Sequence, residues 1–308
     1  MKEKNCYEYL KQFRKECENN RKLGLLSTTF PTLNEILGGG FKYGLVVIGA
    51  IPSLGKTSLL IRESISWARN GYTVLFFSYE MLKWELMAKM LSYNSYEIGI
   101  DKTNTRYNAD FENMAYNYTD ILYNNIDNKL YDEIIKYFDY SSNIFIFERN
   151  KNFSNIDELE KIIEEYKKEN KKIVVIIDYL QIIVNDNLEK DSLKNAIDNY
   201  VSKLRYFSNK EKIPIFAISS INRNCMYNKI EIDSFKETGG IEYGADYLIG
   251  LEPYEYIDDY NSNKDRLKKH LANEVRNLNL VILKNRSGIN GKSISIQFIP
   301  KFNEFKEK

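Results

Sequence analysis

Histidine and cysteine are scarce in this sequence. Among 308 residues there is one histidine, His270, and three cysteines, Cys6, Cys17 and Cys225, which lie far apart and form no Cys-x-x-Cys pair. A histidine-based catalytic triad, or a zinc site of cysteine and histidine ligands, would need side chains that the sequence does not supply. An odd number of widely spaced cysteines also argues against a disulfide framework.

Long apolar runs and an excess of one charge are absent too. No run approaches the ~20 apolar residues that cross a bilayer, and the first residues, Met-Lys-Glu-Lys-Asn-Cys, lack the apolar core of a signal peptide. We therefore expect a cytoplasmic protein with no membrane contact. The 44 basic and 43 acidic residues give a net charge of +1. Any nucleic-acid contact must then be local, for example at the centre of an assembly.

Alternating strand-like and helix-like segments dominate what is present. Hydrophobic residues make up 43% of the chain and charged residues 28%, enough for a buried core in one large domain with a small appendage. We expect an N-terminal helical or linker segment over 1–24 and the main domain over 25–308. The predicted strands are 45–49, 73–78, 144–147, 173–177, 215–219, 246–251, 278–283 and 293–299. The predicted helices are 3–23, 32–37, 57–69, 84–92, 157–168 and 193–209, and residues 93–140 are expected to form helices with polar loops.

This alternation predicts an α/β fold. The β-branched run over 173–177 is typical of a parallel strand covered on both faces. Strands alternating with helices favour a mostly parallel, twisted sheet with helices on both faces. The last two strands bracket residues 285–291 and predict a C-terminal β-hairpin. Ligands bind such sheets at the carboxyl ends of the strands, and since all the motifs below fall at strand ends, we expect them to converge.

A glycine-containing segment joins the first of these strands to the helix after it. Strand, loop and helix in this order are the context of a phosphate-binding P-loop, whose backbone N–H groups would cradle the phosphates of ATP. Lys56 would reach the β- and γ-phosphates, and the Thr57 hydroxyl would hold Mg²⁺. Ala50 stands where the strict pattern has glycine. The nucleotide-binding candidates are Gly49, Ala50, Pro52, Ser53, Gly55, Lys56, Thr57 and Ser58.

Two carboxylates follow other strands. Asp178 ends the strand over 173–177, the position at which P-loop proteins bind Mg²⁺ through water. The residue directly after it, where many such proteins carry the catalytic base, is Tyr179. Hydrolysis then needs a carboxylate from another strand end. Glu80, two residues beyond Ser78, is the candidate that would polarise the attacking water.

Two cations lie far from the P-loop in sequence, in Lys284-Asn-Arg286-Ser-Gly. A basic turn of this kind is often only solvated. The alternative is that Lys284 and Arg286 reach the γ-phosphate bound by a neighbouring subunit, as an arginine finger worth ~10³–10⁵ in rate. The residues by themselves leave both interpretations open.

Six segments, taken in order, resemble the motifs of the DnaB-type replicative helicases. The resemblance covers roughly residues 25–305, and alanine at position 50 is usual in that family. The six segments are Ala50-Ile-Pro-Ser-Leu-Gly-Lys-Thr57, Phe77-Ser-Tyr-Glu-Met81, Ile177-Asp-Tyr-Leu-Gln181, Ser219-Ser-Ile-Asn-Arg223, Phe235-Lys-Glu-Thr-Gly-Gly-Ile-Glu-Tyr-Gly-Ala-Asp246 and Lys284-Asn-Arg-Ser-Gly288.

The resemblance implies a RecA-like P-loop NTPase that assembles as a homohexameric ring. Such a ring hydrolyses ATP between subunits and moves 5′ to 3′ along single-stranded DNA during replication, beside other replication proteins. The implied roles are phosphate and Mg²⁺ binding for Lys56 and Thr57, Mg²⁺ for Asp178, the catalytic base for Glu80, action on the neighbour's nucleotide for Lys284 and Arg286, and contact with the DNA backbone for Lys236, Glu237 and Gly239.

Three departures from the family pattern bear on these expectations. The family usually has glutamine where Ser220 stands, a polar sensor between the γ-phosphate and the DNA loops, and serine is shorter. Lys236 replaces the usual arginine, which keeps the charge and loses the bidentate fork. We expect the family's N-terminal helical domain to be missing from this sequence. Residues 1–24 would correspond to the linker helix that docks on the adjacent subunit.

Other functions remain open from the sequence. One is a recombination or loader ATPase of the RecA-like type, which binds DNA or protein without unwinding. Another, outside the enzymes, is a nucleotide-gated assembly protein with hydrolysis weakened at Ser220. The presence of Glu80 and Arg286 argues against the second alternative.

Overall fold

The strands of this protein join into one sheet. The computed structural model describes residues 5–103, 115–148, 156–170, 172–182, 190–235, 238–257 and 259–308. The strands in these ranges are β1 Gly44–Ala50, β2 Thr73–Ser78, β3 Ile144–Glu148, β4 Ile173–Asp178, β5 Pro214–Ser220, β6 Tyr247–Pro253, β7 Arg276–Asn285, β8 Lys292–Ile299 and β9 Glu304–Glu307. Their order in the sheet is β3-β2-β4-β5-β1-β6-β7-β8-β9.

The helices connect these strands. In the same ranges they are α1 Cys6–Leu23, α2 Pro31–Ile36, α3 Lys56–Arg69, α4 Lys83–Thr103, α5 Tyr118–Leu122, α6 Asn128–Lys136, α7 Ile156–Glu169, α8 Lys190–Glu211, α9 Thr238–Gly244 and α10 Tyr260–Ala272. No described helix is both long and apolar enough to cross a membrane.

The first six strands of that order pair in parallel, which confirms the predicted α/β fold with a mostly parallel sheet. Every residue of β1, β2, β4 and β6 is buried, so both faces of these strands are covered. Ala50 lies opposite Ser220, and Ser78 lies opposite Asp178. The carboxyl ends of β1, β5, β2 and β4 therefore meet at one edge of the sheet.

The last strands run the other way. β7 pairs antiparallel with β6, β8 with β7, and β9 with β8. The predicted C-terminal β-hairpin is confirmed in β7 and β8, whereas β9 was not predicted because its four residues carry little periodic signal. Antiparallel pairing places the carboxyl end of β7 beside the amino end of β6, where Asn285 lies opposite Tyr247.

Helix α4 is longer than the sequence predicted. The predicted helix ends at Ser92, whereas α4 continues to Thr103, into the segment predicted to contain helices with polar loops. Ser92, Asn94 and Ser95 are fully buried. The hydroxyls of Ser92 and Ser95 donate to the carbonyl of Tyr116, and the amide of Asn94 donates to that of Ile134. Buried polar groups that are hydrogen-bonded in this way belong to a core; their residue types misled the prediction.

Helix α1 keeps much of its apolar surface exposed. Asn5 and Glu8 form a capping box at its start. Tyr7 is 76% exposed and Phe13 63% exposed. The described part of the chain therefore does not cover the apolar face of α1 on which these two side chains lie. The ammonium group of Lys212 binds Glu16 and also donates to Asn20. The boundary at residue 24 remains a prediction.

Candidate nucleotide site

The loop between β1 and α3 has the backbone of an anion cradle. Gly55, with φ of 88°, occupies the left-handed region just before α3. This conformation, which favours glycine, turns the chain directly into the helix. The first N–H groups of α3 have no partners within the helix, and the positive end of the helix dipole adds to their pull on an anion. These groups suit the phosphates of a nucleotide.

Lys56 lies folded into this loop. Its Nζ donates to the carbonyls of Ala50 at 2.9 Å and Ile51 at 3.2 Å. Burial lowers the pKa of Lys56 to about 8, while the negative charges of Asp178 and Glu80 act in the opposite direction. An ammonium group held against backbone carbonyls in a desolvated loop is poised to exchange them for phosphate oxygens.

Thr57 and Asp178 meet where β4 ends. The Thr57 hydroxyl donates to Oδ2 of Asp178 at 2.7 Å. Burial raises the pKa of Asp178 to about 6, the Thr57 hydrogen bond and the charges of Lys56 and Lys89 lower it, and the charge of Glu80 raises it. Within the described part of the chain, the buried Oδ1 of Asp178 has no hydrogen-bond partner.

Glu80 lies beside Asp178 but in contact with solvent. The backbone N–H of Tyr79 donates to the carbonyl of Asp178 at 2.7 Å, which extends the β2–β4 pairing by one residue. Glu80 follows directly and is exposed. Its charge acts on both Lys56 and Asp178. An exposed carboxylate next to a phosphate cradle can accept a proton from water there.

Sequence reasoning missed Lys89 as part of this site. The residue lies on α4 and donates to Oδ1 of Asn303 at 3.1 Å. Burial lowers its pKa, and the charges of Glu85 and Asp178 raise it. Nothing in the sequence marks one lysine in a lysine-rich chain, except that α4 begins just after Glu80.

The remaining P-loop candidates lie either at the apex of the loop or in contacts that hold the loop and α3 in place. Pro52 and Ser53 are exposed at the loop apex, and the Ser53 carbonyl accepts from Arg276 at 2.9 Å. The Ser58 hydroxyl donates to Oδ1 of Asn303 at 2.8 Å. The side chain of Ser58 is thus bonded to the segment before β9.

Ser220 ends β5, which lies between the P-loop strand β1 and β4. Its N–H points to Oε1 of Gln181 at 3.4 Å, and Nε2 of Gln181 donates to the Ser219 hydroxyl at 2.8 Å. The amide of Gln181 therefore bridges the ends of β4 and β5 beside Ser220.

Lys284 and Arg286 do not converge with the P-loop, so that expectation was wrong for these two residues. Because β7 is antiparallel, its carboxyl end lies next to Tyr247, which is opposite Val46. Val46 and Ala50 are four residue steps apart on β1, roughly 13 Å along the strand. Sequence alone did not show the direction of β7.

The two cations instead hold the end of α9. Lys284 donates to the carbonyl of Glu242, and Arg286 donates to those of Tyr243 and Ala245. Arg286 also forms an ion pair with Asp246 at 3.5 Å. Cations at a helix C-terminus offset its partial negative charge. Of the DNA-contact candidates, Lys236 and Glu237 lie outside the described residues, and Gly239 lies in the first turn of α9.

A P-loop at the end of a central parallel strand, with carboxylates from β2 and β4 beside it, defines the RecA-like class of P-loop NTPases. Residues 25–307 match the family model for the DnaB-like helicase C terminal domain, and the chain belongs to that family.

Several curated proteins are similar to this chain. The replicative DNA helicase DnaB of Helicobacter pylori (strain ATCC 700392 / 26695) is 27% identical over 322 residues, which cover 94% of this chain and 62% of the relative. That of Mycoplasma pneumoniae is 28% identical over 280 residues, covering 87% and 54%. The chain thus spans less than two thirds of the length of these relatives.

Solved structures share the fold. The ATPase domain of G40P superposes with a TM-score of 0.74 at 20% identity, and the comparison covers 100% of both chains. A DnaB-like replicative helicase, described with its primase interactions, gives a TM-score of 0.70 at 22% identity over 99% of this chain and 67% of the other.

Proposed function

We propose that this chain is the ATP-dependent motor of a DnaB-type DNA helicase, which hydrolyses ATP between the subunits of a ring and moves along single-stranded DNA. The observation that carries this proposal is the distance between the phosphate cradle and the cation pair Lys284 and Arg286 within one subunit. The phosphate cradle lies at one edge of the sheet, and Lys284 and Arg286 lie at the other. Membership in the DnaB-like family supports the same function.

Within one subunit, the residues of the cradle would divide the work on ATP. The loop N–H groups and Lys56 would bind the phosphates. Glu80 would accept a proton from the attacking water, a role worth ~10²–10⁴ in rate. The nearness of Glu80 to Lys56 and Asp178 supports this assignment, because its charge acts on both.

Mg²⁺ fits the donors of this site. The Thr57 hydroxyl and the Asp178 carboxylate offer the oxygen ligands that the ion prefers, and the buried Oδ1 of Asp178 lacks a partner in the described ranges. Among those same residues, no group of three or more His, Cys, Asp or Glu could hold a metal by itself. Phosphate oxygens and water would complete the shell, as is common for Mg²⁺. The bound ion would neutralise charge on the transferred phosphoryl group.

Lys284 and Arg286 would act on the nucleotide of the adjacent subunit. Their distance from their own P-loop supports action between subunits, and their present carbonyl partners are exchangeable for phosphate oxygens. Contact with single-stranded DNA is proposed for Lys236, Glu237 and Gly239. Binding to other replication proteins belongs to the same proposal.

The rate of ATP hydrolysis, measured with and without single-stranded DNA, tests this function together with the native mass of the nucleotide-bound protein. We expect a ring-sized oligomer whose hydrolysis DNA stimulates, and displacement of a strand from a forked duplex. A Lys56→Ala variant, which lacks the phosphate-binding amine, is the control for contaminating ATPase. A monomer indifferent to DNA would refute the proposal. Stimulation by DNA without strand displacement would favour the loader or recombination class instead.

A further inference from the structure

An aromatic ring lies directly on the P-loop strand. Phe235 is fully buried, and its ring occupies the space that a Cβ atom at Gly49 would need. Gly49 is the residue of β1 just before Ala50, and every other side chain type would displace the ring. The close approach explains why residue 49 is glycine.

The ring belongs to a segment that is docked on the strand at two places. Gly49 lies beside Gly250 of β6, and a Cβ atom at Gly250 would overlap Ile230 in the same way. Two neighbouring glycines thus leave a shallow trough across β1 and β6, and residues 230–235 fill it. The N–H of Ile230 donates to Oε2 of Glu252 at 2.8 Å, which fixes the first end of the segment.

The other end is tied to β5. Ile221 forms a β-bridge with Phe235. The N–H of Asn222 donates to the Ser234 carbonyl at 2.8 Å, and its side-chain amide donates to the Phe235 carbonyl at 3.3 Å. Phe235 is therefore held between the end of β5 and the P-loop strand, and the next residue along the chain is the DNA-contact candidate Lys236.

We propose that Phe235 is a positioning residue that couples residues 230–235, which lead directly to the DNA-contact candidates, to the P-loop. The path is short: the ring rests on Gly49, the next carbonyl is that of Ala50, and this carbonyl accepts from Nζ of Lys56. A displacement of Phe235 would move the ring against Gly49, and with it the backbone that holds the phosphate-binding amine. The inference rests on the proposed function, since it deepens the role of the same site.

A Phe235→Leu variant tests the coupling, with Phe207→Leu as the matched control. Phe207 lies on α8 and is as deeply buried as Phe235. Both changes remove the same atoms from the core. We expect Phe235→Leu to bind nucleotide and single-stranded DNA yet lose about tenfold of the DNA stimulation, within the usual range of coupling between sites. The Phe207→Leu variant should keep its stimulation. Equal stimulation in the two variants would overturn the proposal.

A second measurement needs no DNA. Amide hydrogen exchange over residues 230–235 is compared with and without a non-hydrolysable ATP analogue and Mg²⁺. The bound nucleotide should slow this exchange about threefold or more in the wild type and in Phe207→Leu, but not in Phe235→Leu. An equal response in Phe235→Leu would overturn the coupling. If DNA fails to stimulate even the wild type, the proposed function fails, and the exchange experiment still decides the link between Phe235 and the P-loop.

Discussion

Glu63 provides a quantitative test of the environment of the P-loop helix. The side chain is buried on α3, where it accepts hydrogen bonds from the N–H of Thr29 at 3.1 Å and from the Thr29 hydroxyl. Burial raises its pKa from 4.5 to about 7, against the lowering effects of Thr29 and of the Arg62 charge. The folded protein therefore holds a proton that the unfolded chain releases.

The sign of the effect on stability follows from this proton. The contribution of Glu63 is complete below pH 4.5 and is lost as the pH rises through about 7. A shift of this size corresponds to about 3 kcal/mol of unfolding free energy, most of it lost between about pH 5 and 8. In Glu63→Gln the amide oxygen can still accept from Thr29, but the titration is gone.

Urea unfolding at pH 5 and pH 8 measures the prediction. The difference in unfolding free energy, Glu63→Gln minus wild type, should rise by about 2–3 kcal/mol from the lower to the higher pH. The exposed Glu18 gives the matched control, Glu18→Gln, which should follow the wild type at both values. A difference that stays constant between the two pH values would refute the raised pKa of Glu63.

Three further predictions concern the site itself. Glu80→Gln should lower turnover by ~10²–10⁴ while a fluorescent ATP analogue still binds; equal loss of binding would make Glu80 structural. Affinity for the Mg²⁺–nucleotide complex, measured by titration, should fall below about pH 6, where Asp178 takes up a proton, and above about pH 8, where Lys56 loses one. An affinity that does not change between pH 5 and pH 9 would contradict both pKa shifts. Arg286→Ala subunits mixed with Lys56→Ala subunits should recover hydrolysis through the interfaces that pair an intact cradle with an intact finger, whereas mixtures as inactive as either variant would exclude action between subunits.

Local patterns predicted the parallel half of the sheet, because each strand there carries its own signal. The β-branched run over 173–177 identifies a buried strand without any knowledge of its neighbours. The P-loop was equally predictable from the sequence, since Gly55, Lys56 and Thr57 follow a predicted strand and begin a predicted helix. Asp178 was predicted to lie at the site for a similar reason, because it ends the predicted strand 173–177.

Features that depend on strand direction or on distant contacts were not predictable in this way. The position of Lys284 and Arg286 depends on β7 running antiparallel, which no residue within β7 encodes. Lys89 joins the site only because α4 packs against α3. The burial of Asn94 depends on partners such as the hydroxyl of Tyr140, 46 positions away. Pairings of this kind arise from the tertiary fold, which overrides local propensity.

The contacts of Asn303 and Glu304 have a consequence for how the chain is made. Asn303 accepts from Ser58, 245 positions earlier, and Glu304 pairs with Arg62, 242 positions earlier. During synthesis the helix behind the P-loop emerges from the ribosome long before these partners exist. Contacts over such separations close late because a large loop must be ordered first. A nascent chain therefore carries its phosphate cradle without the final supports of α3, and nucleotide binding should mature only after residues 303–304 have been translated.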